Sequence, residues 1–313
     1  MEELLMKRIL TLALCLLLVV NLTACGSKPA QPSPAPTVAA PADGTPTAPA
    51  ETEGSTEPEY GVENTPLSET ETCRFTITGM DFNEHLGLQI YVLCENLSDR
   101  PLTFSWSGTS VCGFMYDPLW AEDVAPGKSL NSTVGIDTYA LEQIGIDSVD
   151  EITFTLLVQD SEEFMNVPLV REEHTVYPTG KTAETVKFPV YEPKEEDTVI
   201  VNRDGITFII EGVDDELADY YTLMCYMAND TDKDLLLAWE NVSVNGFMVN
   251  PFWAVTVSPG KQAYSEIIFY RSDLEAQDIE VVQDIEFTLQ VSDYNDWEAD
   301  YLLNEVYTFV PKQ

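Results

Sequence analysis

Histidine is nearly absent: the 313 residues hold two, His85 and His174. So sparse a pair does not furnish a His-rich metal site and leaves little room for a Ser-His-Asp triad, and no G-x-S-x-G occurs. Basic residues are scarce as well. Lys plus Arg number 15 against 54 Asp plus Glu, a formal net charge of -39. A surface that acidic repels phosphate backbones and anionic headgroups, which argues against nucleic acid as a partner. It attracts cationic ligands, divalent ions and basic peptides, unless the charge serves solubility alone. None of the six cysteines forms a C-x-x-C, so neither a zinc knuckle nor a thioredoxin-type site is indicated. Gly127-Lys128-Ser129 ends like a phosphate loop, but Glu122 stands where the first glycine is required, and the segment reads as a turn.

What is present begins with a leader. Lys7 and Arg8 precede an apolar run over residues 9–20, too short for a stable bilayer span. Leu22-Thr23-Ala24-Cys25 follows, then Gly26 and Ser27. This resembles the lipobox of bacterial lipoproteins. The resemblance implies a signal peptide over 1–24, cleavage between Ala24 and Cys25, and diacylglycerol (with palmitate) on Cys25 holding the chain to the extracytoplasmic face of the cell membrane. An ordinary secretory leader is the alternative. Glu2 and Glu3 depart from the pattern, and a start at Met6 would leave a conventional opening.

Residues 26–68 are rich in Pro, Ala, Thr, Ser and Glu, with few large apolar groups. Such a stretch buries too little surface to offset its ordering entropy and reads as a disordered linker. As a flexible coil it averages roughly 35 Å end to end, and about 130 Å if held extended, enough to act as a spacer.

The remainder is an internal duplication. Residues 71–178 shifted by 133 lie on 204–311 without a gap, and more than thirty positions are identical. Trp106 falls on Trp239, Gly113-Phe114-Met115 on Gly246-Phe247-Met248, Trp120 on Trp253, and Pro126-Gly127-Lys128 on Pro259-Gly260-Lys261. Cys73, Phe75 and Ile77 alternate with polar residues, as do Ile206, Phe208 and Ile210, the period of half-buried strands. Asn245-Gly246 between apolar residues predicts a tight hairpin. Cys112-Gly113 stands there in the first copy, which suggests that glycine carries the turn and its neighbour is replaceable. Short helices are expected only over 139–144 and 273–277.

Many short strands between turns, in units of about 108 residues, fit an all-β chain of two tandem immunoglobulin-like β-sandwich domains. The Asn-Gly-Phe-Met, Pro-x-Trp and Pro-Gly-Lys signatures resemble uncharacterised Ig-like (telokin-like) domains of Gram-positive surface lipoproteins, a family that implies fold and location but no chemistry. The boundaries expected are 69–178 for the first domain, 179–197 for a linker and 198–313 for the second, with charges of -15 over 69–178 and -18 over 202–311.

Candidate sites are few. Asp230, Asp232 and Asp234 place oxygen ligands at alternating positions, as a calcium loop does. Leu235 replaces the turn glycine, however, and a solvated inter-strand turn is the competing reading. Tyr294, Trp297 and Tyr301 are unique to the second copy and form a candidate contact patch. The four matched tryptophans read as core plugs, with sugar-stacking platforms as the alternative. Cys73, Cys94 and Cys225 align with apolar residues and read as core thiols, although a Cys73–Cys94 bridge is open, and Cys112 is expected at an exposed turn. No cofactor and no catalytic pair stand out. The expected function is a membrane-tethered, non-enzymatic module that binds a protein or glycan, with a structural spacer or envelope-assembly protein as the alternative and an enzyme accessory a third.

Overall fold

The computed structural model describes residues 60–62, 64–163, 166–296 and 298–312. The leader over 1–24, Cys25, the linker up to residue 59, and Trp297 lie outside the described residues. The first repeat runs β1 (Thr65–Glu69), β2 (Cys73–Asn83), β3 (Gly87–Asn96), β4 (Leu102–Val111), β5 (Phe114–Met115), β6 (Ala121–Val124), β7 (Ser129–Ile136), α1 (Thr138–Ile144), β8 (Ile152–Asp160) and β9 (Val170–Val176). The second repeats this order as β10 (Thr198–Arg203), β11 (Ile206–Asp214), β12 (Tyr220–Asn229), β13 (Leu235–Val244), β14 (Phe247–Met248), β15 (Ala254–Val257), β16 (Gln262–Tyr270), α2 (Arg271–Glu275), β17 (Ile285–Asp293) and β18 (Leu303–Phe309).

In the first repeat one sheet has the order β1-β2-β3-β7, and facing it β4 pairs with β5, β6 and β8, and β8 with β9. Consecutive strands β3 and β4 lie in different sheets, as do β7 and β8, so the chain crosses between the layers as a Greek key does. β2, β3 and β7 occupy the places of A, B and E of an immunoglobulin sandwich, β4, β8 and β9 those of C, F and G, and β6 that of C′. The second repeat follows the same plan with β10-β11-β12-β16 against β13, β14, β15, β17 and β18.

Alternation drives the layering. On β2 the inward residues Cys73, Phe75 and Ile77 are fully buried, while Arg74, Thr76 and Thr78 between them are only half-buried. Inside each sandwich a tryptophan stacks on a phenylalanine from the adjacent strand. Trp106 lies 3.7 Å from Phe154, and Trp239 lies 3.6 Å from Phe287, ring centre to ring centre. The second tryptophan of each repeat packs edge-on against the first and donates its indole N–H to a hydroxyl, Trp120 to Ser132 and Trp253 to Ser265. All four tryptophans are core, as their matched positions predict, and none serves as a platform.

Two expectations need correction. Composition places residues 65–68 in the linker, but residues 65–69 form β1, which pairs with β2 through its backbone and adds only Leu67 to the core, so it leaves little apolar signature. Cys112 was expected to be exposed and freely replaceable, yet it is 2% exposed with φ of 48°, beside Gly113 at 86°. Asn245 and Gly246 share those angles at 52° and 82°, so both positions of this turn need the left-handed region, as a type I′ hairpin requires.

Cys112 holds its place by doing what asparagine does in the second repeat. Asn245 Oδ1 accepts the Gln283 N–H at 2.7 Å, and its Nδ2 donates to the Val281 carbonyl at 2.8 Å. Cys112 Sγ accepts the equivalent Asp150 N–H at 3.3 Å and points its S–H at the Ser148 carbonyl at 3.9 Å. Sulfur is the weaker partner on both counts, and cysteine tolerates positive φ less well than asparagine. Cys112→Asn is therefore expected to stabilise the chain by about 1 kcal/mol, the net value of a restored hydrogen bond. Thermal melting reads this as a raised Tm, and a lowered Tm would contradict the equivalence.

Candidate functional site

The residues singled out from sequence do not converge. Asp230, Asp232 and Asp234 lie on and beside the β12–β13 turn, and no group of three or more His, Cys, Asp or Glu among the described residues is placed to hold a metal ion. The turn is organised instead by Asn229, fully buried, whose Nδ2 donates to the carbonyls of Lys233 and Val257 at 2.7 Å each and whose Oδ1 accepts from the Thr231 N–H. Asn96 makes the same set in the first repeat, to Arg100, Val124 and Ser98. Tyr294 follows β17 and Tyr301 precedes β18, on one connection; Tyr294 is exposed, Tyr301 is half-buried, and Trp297 lies outside the described residues.

The four cysteines of the described residues are buried free thiols. Burial pushes the Cys94 thiol up to about 12, with the Glu122 charge adding to it, and raises Cys112 and Cys225 as well. Groups held protonated in this way are not nucleophiles. His174 packs against Phe154, and burial lowers its pKa, so it stays neutral in the wall of the first core.

Two features distinguish the repeats, and neither is visible in their alignment. The first is the edge at β5 and β14. The Gln262 N–H of β16 donates to the Gly113 carbonyl at 2.9 Å, so β5 pairs with β16 in parallel and a nine-stranded sheet runs through both repeats. Phe114 stacks flat on Tyr264 with ring centres 5.3 Å apart, and Tyr191 stacks on Tyr226 at 3.9 Å. Ile144 and Ile209 complete this small core between the repeats. Lys261 reaches Glu151, a carboxylate only 9% exposed, at 3.4 Å and lies over the Phe188 ring. In the second repeat β14 pairs with β13 alone among the described residues. Phe114 is 1% exposed; its counterpart Phe247 is 50% exposed and Met248 66%.

The second feature is a cavity of about 720 Å³ at the α2 end of the second sandwich, within the roughly 300–1,000 Å³ usual for ligand sites. Val213, Tyr221, Leu274, Ile279, Val282 and Pro311 give it an apolar floor. Asp215, Glu275, Asp278 and Glu280 stand on its rim. None of these four forms an ion pair among the described residues. The two basic residues at the rim are committed to backbone carbonyls, Arg271 to Asp215 and Leu217, and Lys312 to Glu195 and Asp197. Burial pushes the Tyr221 hydroxyl up to about 12, the Asp215 charge adding and Arg271 offsetting. In the first repeat the corresponding place is occupied by Tyr60, whose ring lies on Phe82 and whose hydroxyl accepts the Val149 N–H at 3.4 Å. Tyr60 is the lone aromatic between residues 26 and 68, in a stretch whose composition is otherwise that of a linker.

No family model and no curated protein matches the sequence. Among solved structures the chain is similar to the exo-chitosanase CsxA of Amycolatopsis orientalis, at 12% identity over 77% of this chain, with a TM-score of 0.22. It spans 26% of that enzyme's length. It is also similar to the Salmonella enterica SafA pilin in complex with the SafB chaperone, at 10% identity over 71% of this chain and 88% of that one, with a TM-score of 0.21.

The contrast between the two edges is measurable. Phe114→Ala is expected to cost about 3 kcal/mol, as for a buried aromatic, and Phe247→Ala to stay within about 0.5 kcal/mol, as at a surface site. Denaturant titration of the two variants checks this, and equal losses would mean that the β5 edge is not covered.

Proposed function

We propose that the chain is a lipid-anchored extracytoplasmic interaction module, tethered through Cys25 and presenting its second sandwich to a protein partner. The basic pair Lys7-Arg8, the apolar run and the Ala24-Cys25 junction support the anchor. The Pro- and Ala-rich stretch after Cys25 supplies reach. The observation that carries the binding role is the asymmetry of the repeats: what the first sandwich covers, the second leaves open, namely the Phe247–Met248 edge and the acidic-rimmed cavity. Open sheet edges beside apolar side chains are a recurrent mode of strand-to-strand recognition. The acidic rim favours a partner with basic character.

A structural spacer is the second reading, favoured by the continuous sheet through β5 and β16, which ties the two sandwiches together. Crosslinking on living cells separates the two. With the wild-type chain a recurrent protein is expected, absent from a stalk-only control and reduced roughly tenfold by Phe247→Ser, the size of losing one well-packed aromatic contact. Cys25→Ala is expected to release the chain from the membrane fraction. Crosslinking indistinguishable from the control would favour the spacer.

A further inference from the structure

The strands of the two repeats correspond under the shift of 133, so the first shows what fills a place that no described residue fills in the second. Tyr60 lies in the first. Its ring rests on Phe82, its hydroxyl accepts the N–H of Val149, and the Gly61 N–H donates to the Pro178 carbonyl at 2.8 Å. Shifted forward, those three partners are Asp215, Val282 and Pro311, and all three line the cavity of the second repeat. Val149 and Pro178 are buried beneath the Tyr60 segment, whereas Val282 and Pro311 are half-buried. The residue at the position equivalent to Tyr60 is Pro193, which does not line the cavity; beside it the Lys194 N–H donates to Asp197 and its Nζ pairs with Glu211.

We propose that this cavity binds the aromatic side chain of an extended peptide carrying positive charge beside it, in the seat that Tyr60 takes in the first repeat. The ring replaces the Tyr60 ring over the floor of Val213, Leu274 and Ile279. A phenol hydroxyl accepts the Val282 N–H, and the peptide N–H that follows donates to the Pro311 carbonyl, reproducing the two bonds that hold Tyr60 and Gly61. The preference for charge comes from one substitution within the duplication. Where the first repeat offers Phe82 to its own tyrosine, the second offers Asp215, with Glu280 also on the rim. A neutral intramolecular plug has become a seat for a cationic visitor. The inference rests on the reading of the second sandwich as a binding module and names the ligand class at its cavity.

The test uses the intact chain and the peptide Lys-Tyr-Gly-Val-Lys, patterned on the segment around Tyr60. Titration followed by NMR is expected to shift the amides of Val282 and Leu274, with binding at least roughly tenfold weaker when the peptide tyrosine becomes serine, the loss expected for one buried aromatic. Asp215→Asn combined with Glu280→Gln is expected to weaken binding and flatten its salt dependence, since both are rim residues whose loss leaves the core intact. Val282→Phe is expected to abolish binding by filling the seat. No binding at millimolar peptide, or equal binding of the tyrosine and serine peptides, overturns the proposal. A cell-surface partner that is lost with Phe247→Ser but retained with Val282→Phe would overturn this site while leaving the interaction-module reading in place.

Discussion

The parallel contact between β5 and β16 is the constraint on which the asymmetry of the molecule depends. It is small in hydrogen bonds, with Gln262 N–H to Gly113 as its backbone link, but it buries Phe114, Tyr226 and Ile209. Each such side chain removed from water contributes about 1.5–3 kcal/mol. The contact also recruits the segment between the repeats. Phe188 lies close against Gly113, Tyr191 stacks on Tyr226, and the Pro189 carbonyl accepts from the Gln262 side chain. The segment's next residues reach the cavity rim, where the Glu195 and Asp197 carbonyls accept from Lys312, but none of them lines the cavity as Tyr60 fills its place in the first sandwich.

Charge is distributed to match. The few lysines near the contact pair with carboxylates that the contact removes from water: Lys261 with Glu151 and Lys194 with Glu211. A buried carboxylate without such a partner would be costly. The acids at the cavity rim have no such partner among the described residues and are exposed, where solvent screens them. The two carboxylates taken from water at the contact are thus paired, while the four at the cavity rim are left to solvent.

Much of the architecture could be read from the residues. The gapless duplication located every strand pair from β2 to β9 in its counterpart, because insertions would have broken a constant shift. The matched tryptophans announced the core, since a large side chain kept at equal spacing fills equal volume. Asn245-Gly246 announced its hairpin, and the two short helices fell within two residues of expectation. Cys112 was misjudged because its likeness to asparagine lies in the direction of its bonds, which composition does not encode. β1 was missed because an edge strand can be held through its backbone.

The site was less accessible for a reason the duplication makes clear. Phe114 and Phe247 are the same residue in the same local sequence, yet one is buried and the other half-exposed, because burial there is decided by the neighbouring sandwich. Tyr60 lies before residues 71–178, where the identities of the duplication fall, and only the strand pairing of β1 and β10 carries the shift back toward it. Asp230, Asp232 and Asp234 lie on and beside a turn whose backbone Asn229 holds through the Lys233 and Val257 carbonyls.

Amide hydrogen exchange at Val149 and Val282 tests the central claim most directly, because these N–H groups occupy equivalent positions and differ in whether a hydroxyl from another segment covers them. Protection of Val149, lost in Tyr60→Ala, beside fast exchange at Val282, is the result this account predicts. Equal protection of both amides in the free chain would mean that the second sandwich is sealed as the first is, and would contradict it.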